Sequence, residues 1–213
     1  FDGKTVAALT ANNIWGIAGN AAPTVNADAL RLTSTTANQL GSAIYNVAFA
    51  SIQSAPLEFD FDYFGPTASG TAGLSFFLLD GAVASPTAGG GGAALGYAYS
   101  NTVAGVSQAF LGIGIDRAGN FLNTSTFHDG SGASATVNRI ALRGPATNAS
   151  SVKATKEYDF VAGSAKAFTV AAAATAPRKV KLTVTPEGKI SLLTNTPTGF
   201  VAVYDQFDFI NSA

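Results

Sequence analysis
The chain has 213 residues, of which 47% are hydrophobic and only 12% charged, with a net charge of −1. That is enough apolar material for a core, with about half the usual share of charge, so disorder is not expected, nor a basic field that would hold nucleic acid or an anionic membrane. Cysteine is absent, which excludes disulfides, thiolate metal sites and cysteine nucleophiles.

Helix signals are scarce. Glycine recurs in every segment and no stretch keeps an i, i+3, i+4, i+7 apolar pattern over three turns. Strand signals run the length of the chain. Leu30–Thr33 is short and alternating, and Gln39–Phe49 reads as a longer strand with an irregularity at Gly41. Leu57–Phe64 puts Leu57, Phe59, Phe61 and Tyr63 on one face and Glu58, Asp60 and Asp62 on the other. Gly73–Leu79 is nearly all apolar, as expected of a strand covered on both faces. Ala88–Ala94 has a linker's composition but sits between strand signals and reads as a loop.

Phe110–Ile115 and Asn120–Leu122 flank Asp116-Arg-Ala-Gly119, a pattern that predicts a short hairpin with Gly119 at positive φ. Val137–Arg143, Ser151–Phe160 and Lys166–Ala174 follow. Lys179–Thr185 and Lys189–Thr194 form the clearest hairpin, turning at Pro186-Glu187-Gly188, and Phe200–Ile210 closes the chain. Roughly a dozen strands at this spacing predict one all-β sandwich or jelly roll over residues 1–213. No helix long enough to span a membrane is expected.

Several residue groups could carry chemistry. Glu58, Asp60 and Asp62 stand about 6.5–7 Å apart along one strand face, a separation at which two carboxylates can serve glycoside hydrolysis. The plainer reading is an acidic outer face of a strand, partly neutralised by a basic one such as that of Lys179 and Lys181. His128, the single histidine, precedes Asp129. It is either one ligand of an oxygen-rich metal site or an ordinary loop residue, and no G-x-S-x-G elbow accompanies it. Asp116 and Asn120 straddle a tight turn, where they can hold calcium together with backbone carbonyls or simply stabilise the turn. Gly89–Gly92 lacks a phosphate-loop signature, but glycines there allow backbone N–H groups to approach a ligand closely. Trp15, the lone tryptophan, is either core or a stacking platform.

Seven segments follow one another in a recognisable order: 30–46, 57–65, 70–81, 89–99, 110–121, 137–144 and 178–193 (LRLTSTTANQLGSAIYN, LEFDFDYFG, GTAGLSFFLLDG, GGGGAALGYAY, FLGIGIDRAGNF, VNRIALRG and RKVKLTVTPEGKISLL). The chain resembles the bacterial branch of the L-type, legume-lectin-like family. That resemblance implies a concanavalin A-like jelly roll of two antiparallel sheets, and a secreted or surface-exposed adhesive role. It implies a ligand site at loop ends, with Ser69, Thr71, Gly91, Gly92, Asn120 and Phe121 meeting a glycan. It also implies calcium on Asp116 and Asn120, with Asp129 a further ligand. Two positions depart from the family. Thr71-Ala72-Gly73 stands where sugar-binding members have Ala-Asp-Gly, and Gly114 stands where a metal-binding Glu is usual.

The expected function is therefore an extracellular, non-enzymatic carbohydrate-binding or adhesive module whose partner is a glycan or cell-surface polysaccharide. Two other readings stay open. Low charge and high Ala content suit a structural protein that self-associates through an exposed strand such as Phe200–Ile210. The Glu58, Asp60, Asp62 face leaves a glycoside hydrolase open. The missing methionine at position 1 and the sulfur-free composition suit a mature secreted chain, or a domain of a longer one, whose signal peptide is gone.

Overall fold
A computed structural model describes residues 4–20, 23–26, 29–49, 53–65, 72–100, 102–123, 135–146, 157–168 and 175–213. Among these, twelve strands are formed: β1 (Trp15–Gly19), β2 (Thr24–Asn26), β3 (Ala29–Arg31), β4 (Gly41–Tyr45), β5 (Leu57–Tyr63), β6 (Gly73–Leu79), β7 (Ala109–Asp116), β8 (Arg139–Arg143), β9 (Phe160–Gly163), β10 (Arg178–Val184), β11 (Lys189–Thr196) and β12 (Gly199–Asp208). The one α-helix among the described residues, α1 (Val6–Thr10), is a single short turn whose N-cap, Thr5, accepts the Ala8 N–H at 3.1 Å.

Two four-stranded antiparallel sheets carry the architecture, in the orders β12-β11-β10-β5 and β6-β7-β8-β9. They share one core. Leu78, Leu111, Ile113, Ile115, Ile140 and Leu142 come from one sheet; Val180, Leu182, Val184, Ile190, Leu192 and Tyr204 come from the other. This is the all-β sandwich that the alternation predicts, because period-2 patterning gives each sheet one apolar face to bury against its partner. Two two-stranded ribbons, β1-β4 and β2-β3, complete the described strands.

β5 behaves as its alternation demands. Its apolar side chains pack on the shared core and its carboxylates point outward. Register places Asp62 opposite Lys179 and Asp60 opposite Lys181. Both pairs close as ion pairs, at 2.9 and 2.8 Å. Two of the three carboxylates are thus paired and the face is partly neutralised, as the plainer reading of the sequence expected, while Glu58 stands opposite Thr183.

β6 is covered on both sides. Phe76 and Leu78 face the inter-sheet core, whereas Phe77 and Leu79 face a second cluster built around Tyr97, Phe121 and Tyr158. This second cluster lies on the other face of the β6-β7-β8-β9 sheet and determines the shape of the candidate site.

The structure corrects one predicted element outright. Asn120–Leu122 is a 3-10 turn and not a returning strand. β7 already pairs with β6 on one edge and β8 on the other, so no edge is left for a hairpin partner. Gly119 does take positive φ, at +82°, but it turns the chain over the sheet face. Other boundaries shift. The predicted Gln39–Phe49 strand shortens to β4, where Gly41 passes against the Leu32 carbonyl too closely for any side chain. Phe160 begins a strand rather than ending one, and residues 151–156 and 169–174 of the predicted elements lie outside the described residues. Trp15–Gly19 and Thr24–Asn26 form strands that the pattern did not announce.

Candidate functional site
β7 sets the geometry through its sequence, AFLGIGID. Leu111, Ile113 and Ile115 point into the inter-sheet core, so Gly112 and Gly114 fall on the opposite face. There the ring of Tyr97 lies over Gly112 and the ring of Phe121 lies over Gly114; a Cβ at either position would run into the ring. The two glycines are recesses for aromatic rings. Gly114 therefore has a packing role, and the Phe121 ring fills the space that a metal-binding Glu would need.

The same packing corrects the expected role of Phe121. It is fully buried, 6.4 Å from the Tyr97 ring centroid. It offers no stacking face to a ligand. A ring within a 3-10 turn can point inward or outward, and here the hole over Gly114 draws it in.

The Phe121 backbone is held at both ends. Its N–H donates to Asp116 Oδ2 at 2.5 Å. Its carbonyl accepts from Arg143 Nε at 2.8 Å. Arg143 has no exposed surface; its terminal nitrogens donate to the Tyr158 carbonyl at 2.7 Å and the Asn123 carbonyl at 2.9 Å. The guanidinium also lies 5.3 Å from the Phe121 ring centroid. Register puts Arg143 opposite Gly112, so a large side chain stands beside a missing one.

Sequence reasoning did not single out Arg143. The available signal was a charged residue on the Arg139, Ala141, Arg143 face of a strand next to alternating glycines. Tyr97 and Tyr158 were missed too. Tyr97 donates its hydroxyl to the Gly144 carbonyl at 2.7 Å, and Tyr158 donates to the Val106 carbonyl at 2.8 Å. Burial pushes both phenols well above the ordinary tyrosine range, so they remain neutral donors.

Asp116 is 1% exposed. Burial pushes its carboxyl above the usual range, while the N–H groups of Phe121, Gly119 and Ala118 pull it part of the way back. Its second oxygen, Oδ1, is buried, and among the described residues no donor bonds it. A buried carboxylate oxygen is stabilised by a proton, a hydrogen-bond donor or a cation. Asn120, four residues on, is exposed.

Three described segments meet near the Asp116 turn. The Ala72 carbonyl accepts the N–H groups of Arg117 and Ala118, at 2.9 and 3.4 Å, which ties the start of β6 to the Asp116 turn. Gly92–Ala94 forms a 3-10 turn that packs against Asn120–Leu122. The glycine segment is fixed from below, with Gly89 and Gly90 donating to the Gly96 and Ala98 carbonyls and Ser75 Oγ donating to the Leu95 carbonyl. Among the described residues no acceptor takes the N–H of Gly91, Gly92 or Ala93. These are the donors that the start of a 3-10 turn leaves open. Gly92 is exposed, and Gly91 and Ala93 are half-buried.

Ser69, Thr71, His128 and Asp129 lie outside the described residues. Among the described residues no group of three or more His, Asp or Glu side chains could hold a metal ion. The described residues supply only part of a calcium shell of about 6–8 oxygens. They fit it at one point, the unpartnered Asp116 Oδ1. Trp15 is half-buried, its ring centroid 5.2 Å from that of its cross-strand neighbour Tyr45.

A scan against protein-family models finds no match for the chain, and no curated protein sequence matches it significantly.

Proposed function
We propose that the chain is an extracellular carbohydrate-binding or adhesive module of the L-type lectin kind, without catalytic activity. One observation carries the reading: the Ala72 segment, the Gly91–Ala93 N–H groups and the Asp116–Asn120 turn come together on one sheet. Open backbone donors beside a buried carboxylate and an exposed amide suit a neutral, hydroxyl-rich ligand, whose oxygens accept from N–H and donate to oxygen. Calcium would be held by Asp116 and Asn120, with Asp129 as a further candidate. It would neutralise the buried carboxylate and fix the turn. Ala72 brings no carboxylate, so binding rests on the backbone donors, on Asn120 and on calcium.

A glycan array probed with the purified chain, once in calcium and once in EDTA, tests this reading. Binding to one glycan class in calcium and its loss in EDTA is the expected outcome. Absence of binding in both arms would remove the reading.

A second reading, self-association into a surface assembly, draws on β12. Among the described residues this strand is the edge of its sheet, with Phe200 and Val201 exposed. Such an edge can template another chain. Sedimentation at rising concentration tests it, and a monomer throughout would dismiss it. The hydrolase reading gains nothing from the structure, because Asp60 and Asp62 are engaged by lysines on an open sheet face.

A further inference from the structure
We propose that Arg143 is the positioning residue of the binding turn. Its guanidinium, by taking the carbonyls of Phe121, Asn123 and Tyr158 together, holds residues 119–123 closed on the Asp116 carboxylate. This rests on the calcium-and-glycan reading of that turn.

Three observations support it. First, burying a guanidinium completely is costly, and a residue that only filled space would be apolar. Second, its acceptors come from separate segments. Two belong to the turn and one to Tyr158, more than thirty residues downstream of the turn. The turn acceptors are among the carbonyls that a 3-10 turn leaves open at its C-terminal end, and a planar fork reaches several at once as an ammonium cannot. Third, the Phe121 peptide groups join Arg143 to Asp116. The N–H bonds the carboxylate oxygen and the carbonyl bonds the guanidinium. A shift of the guanidinium therefore moves the chain that carries Asn120 and changes how Asp116 Oδ2 is occupied. Such outer-shell partners typically change metal affinity by about 10–100-fold when altered.

The test uses the full chain, with calcium itself as the probe. Arg143→Lys keeps the charge but loses the fork. Hydrogen exchange is read across 117–123 and across 178–196, and calcium affinity is read by calorimetry. The expected result is unchanged protection in 178–196, exchange across 117–123 faster by about tenfold or more, and calcium affinity weaker by a similar factor. Unchanged exchange in the turn overturns the proposal. So does a loosened turn that binds calcium as well as the parent chain.

Should Arg143→Lys fail to fold, the unaltered chain decides by nuclear magnetic resonance. The Arg143 Nε–H is expected to exchange slowly and to shift when calcium is added. A signal indifferent to calcium saturation overturns the proposal. A parent chain that binds no calcium sinks the calcium reading instead. The exchange comparison needs no ligand, so it still reports whether Arg143 holds the turn.

Discussion

At the scale of single residues, Asp116 concentrates the tension of the site. Its carboxyl is raised by burial, so the folded state prefers it protonated or neutralised. The ionised form therefore costs stability as pH climbs from the unfolded carboxylate value, about 3.9, through the higher folded value. Asp116→Asn keeps an acceptor for the Phe121 N–H and removes the charge. In EDTA at neutral pH it is expected to be more stable than the parent, whose carboxyl is then driven toward its ionised form against its burial, a gain that vanishes once pH falls below the unfolded value. Calcium should raise the melting temperature of the parent chain and not that of the variant. Thermal melts at several pH values, with and without calcium, check both statements. Gly114 makes the opposite argument. A single methyl there meets the Phe121 ring, so Gly114→Ala is expected to cost about 1–3 kcal/mol or more in chemical denaturation. A position that merely lacked a metal ligand would accept alanine freely.

Among the elements, β7 and β10 bury their side chains by different rules. β10 is covered on one face, so its residues divide cleanly into core and surface. Leu182 is 1% exposed at the centre of the shared core, and Leu182→Ala is expected to cost about 2–5 kcal/mol. On the outer face of the same sheet, the Lys179–Asp62 pair is half exposed at both ends. Such pairs contribute about 0–1 kcal/mol, so Asp62→Asn is expected to leave stability within about 1 kcal/mol of the parent and glycan binding unchanged. Urea titration of the two variants separates these cases. β7 is covered on both faces, yet its second face is built of glycines. The aromatic layer of Tyr97, Phe121 and Tyr158 supplies the mass the strand lacks, and Arg143 links that layer to the turn above it.

For the whole molecule, low charge is the dominant physical fact. A net charge of −1 and an isoelectric point near 5.7 leave little repulsion between copies. Association is expected to peak near pH 5.7 and recede by pH 8, which light scattering across that range will show. The all-β class, the two-sided strand at Gly73–Leu79, the partly neutralised acidic face of β5 and the positive φ of Gly119 were all readable in the sequence. Each follows from period-2 alternation or from one residue's backbone preference, and these are local properties. The convergence of the Ala72, glycine and Asp116 segments was expected only through a family resemblance. The fate of Asn120–Leu122 was not readable, because whether a segment returns as a strand depends on whether its neighbour has a free edge. The inward turn of Phe121 and the burial of Arg143 were equally hidden. A side chain's environment is set by what the rest of the chain places opposite it, and here two glycines on β7 make room that no local pattern around residue 121 or 143 records. Composition and alternation determined that the chain would form a sandwich, and the pairing of its strands decided which of the described polar groups were left open, because an edge or a face is used up only by what the rest of the chain places against it.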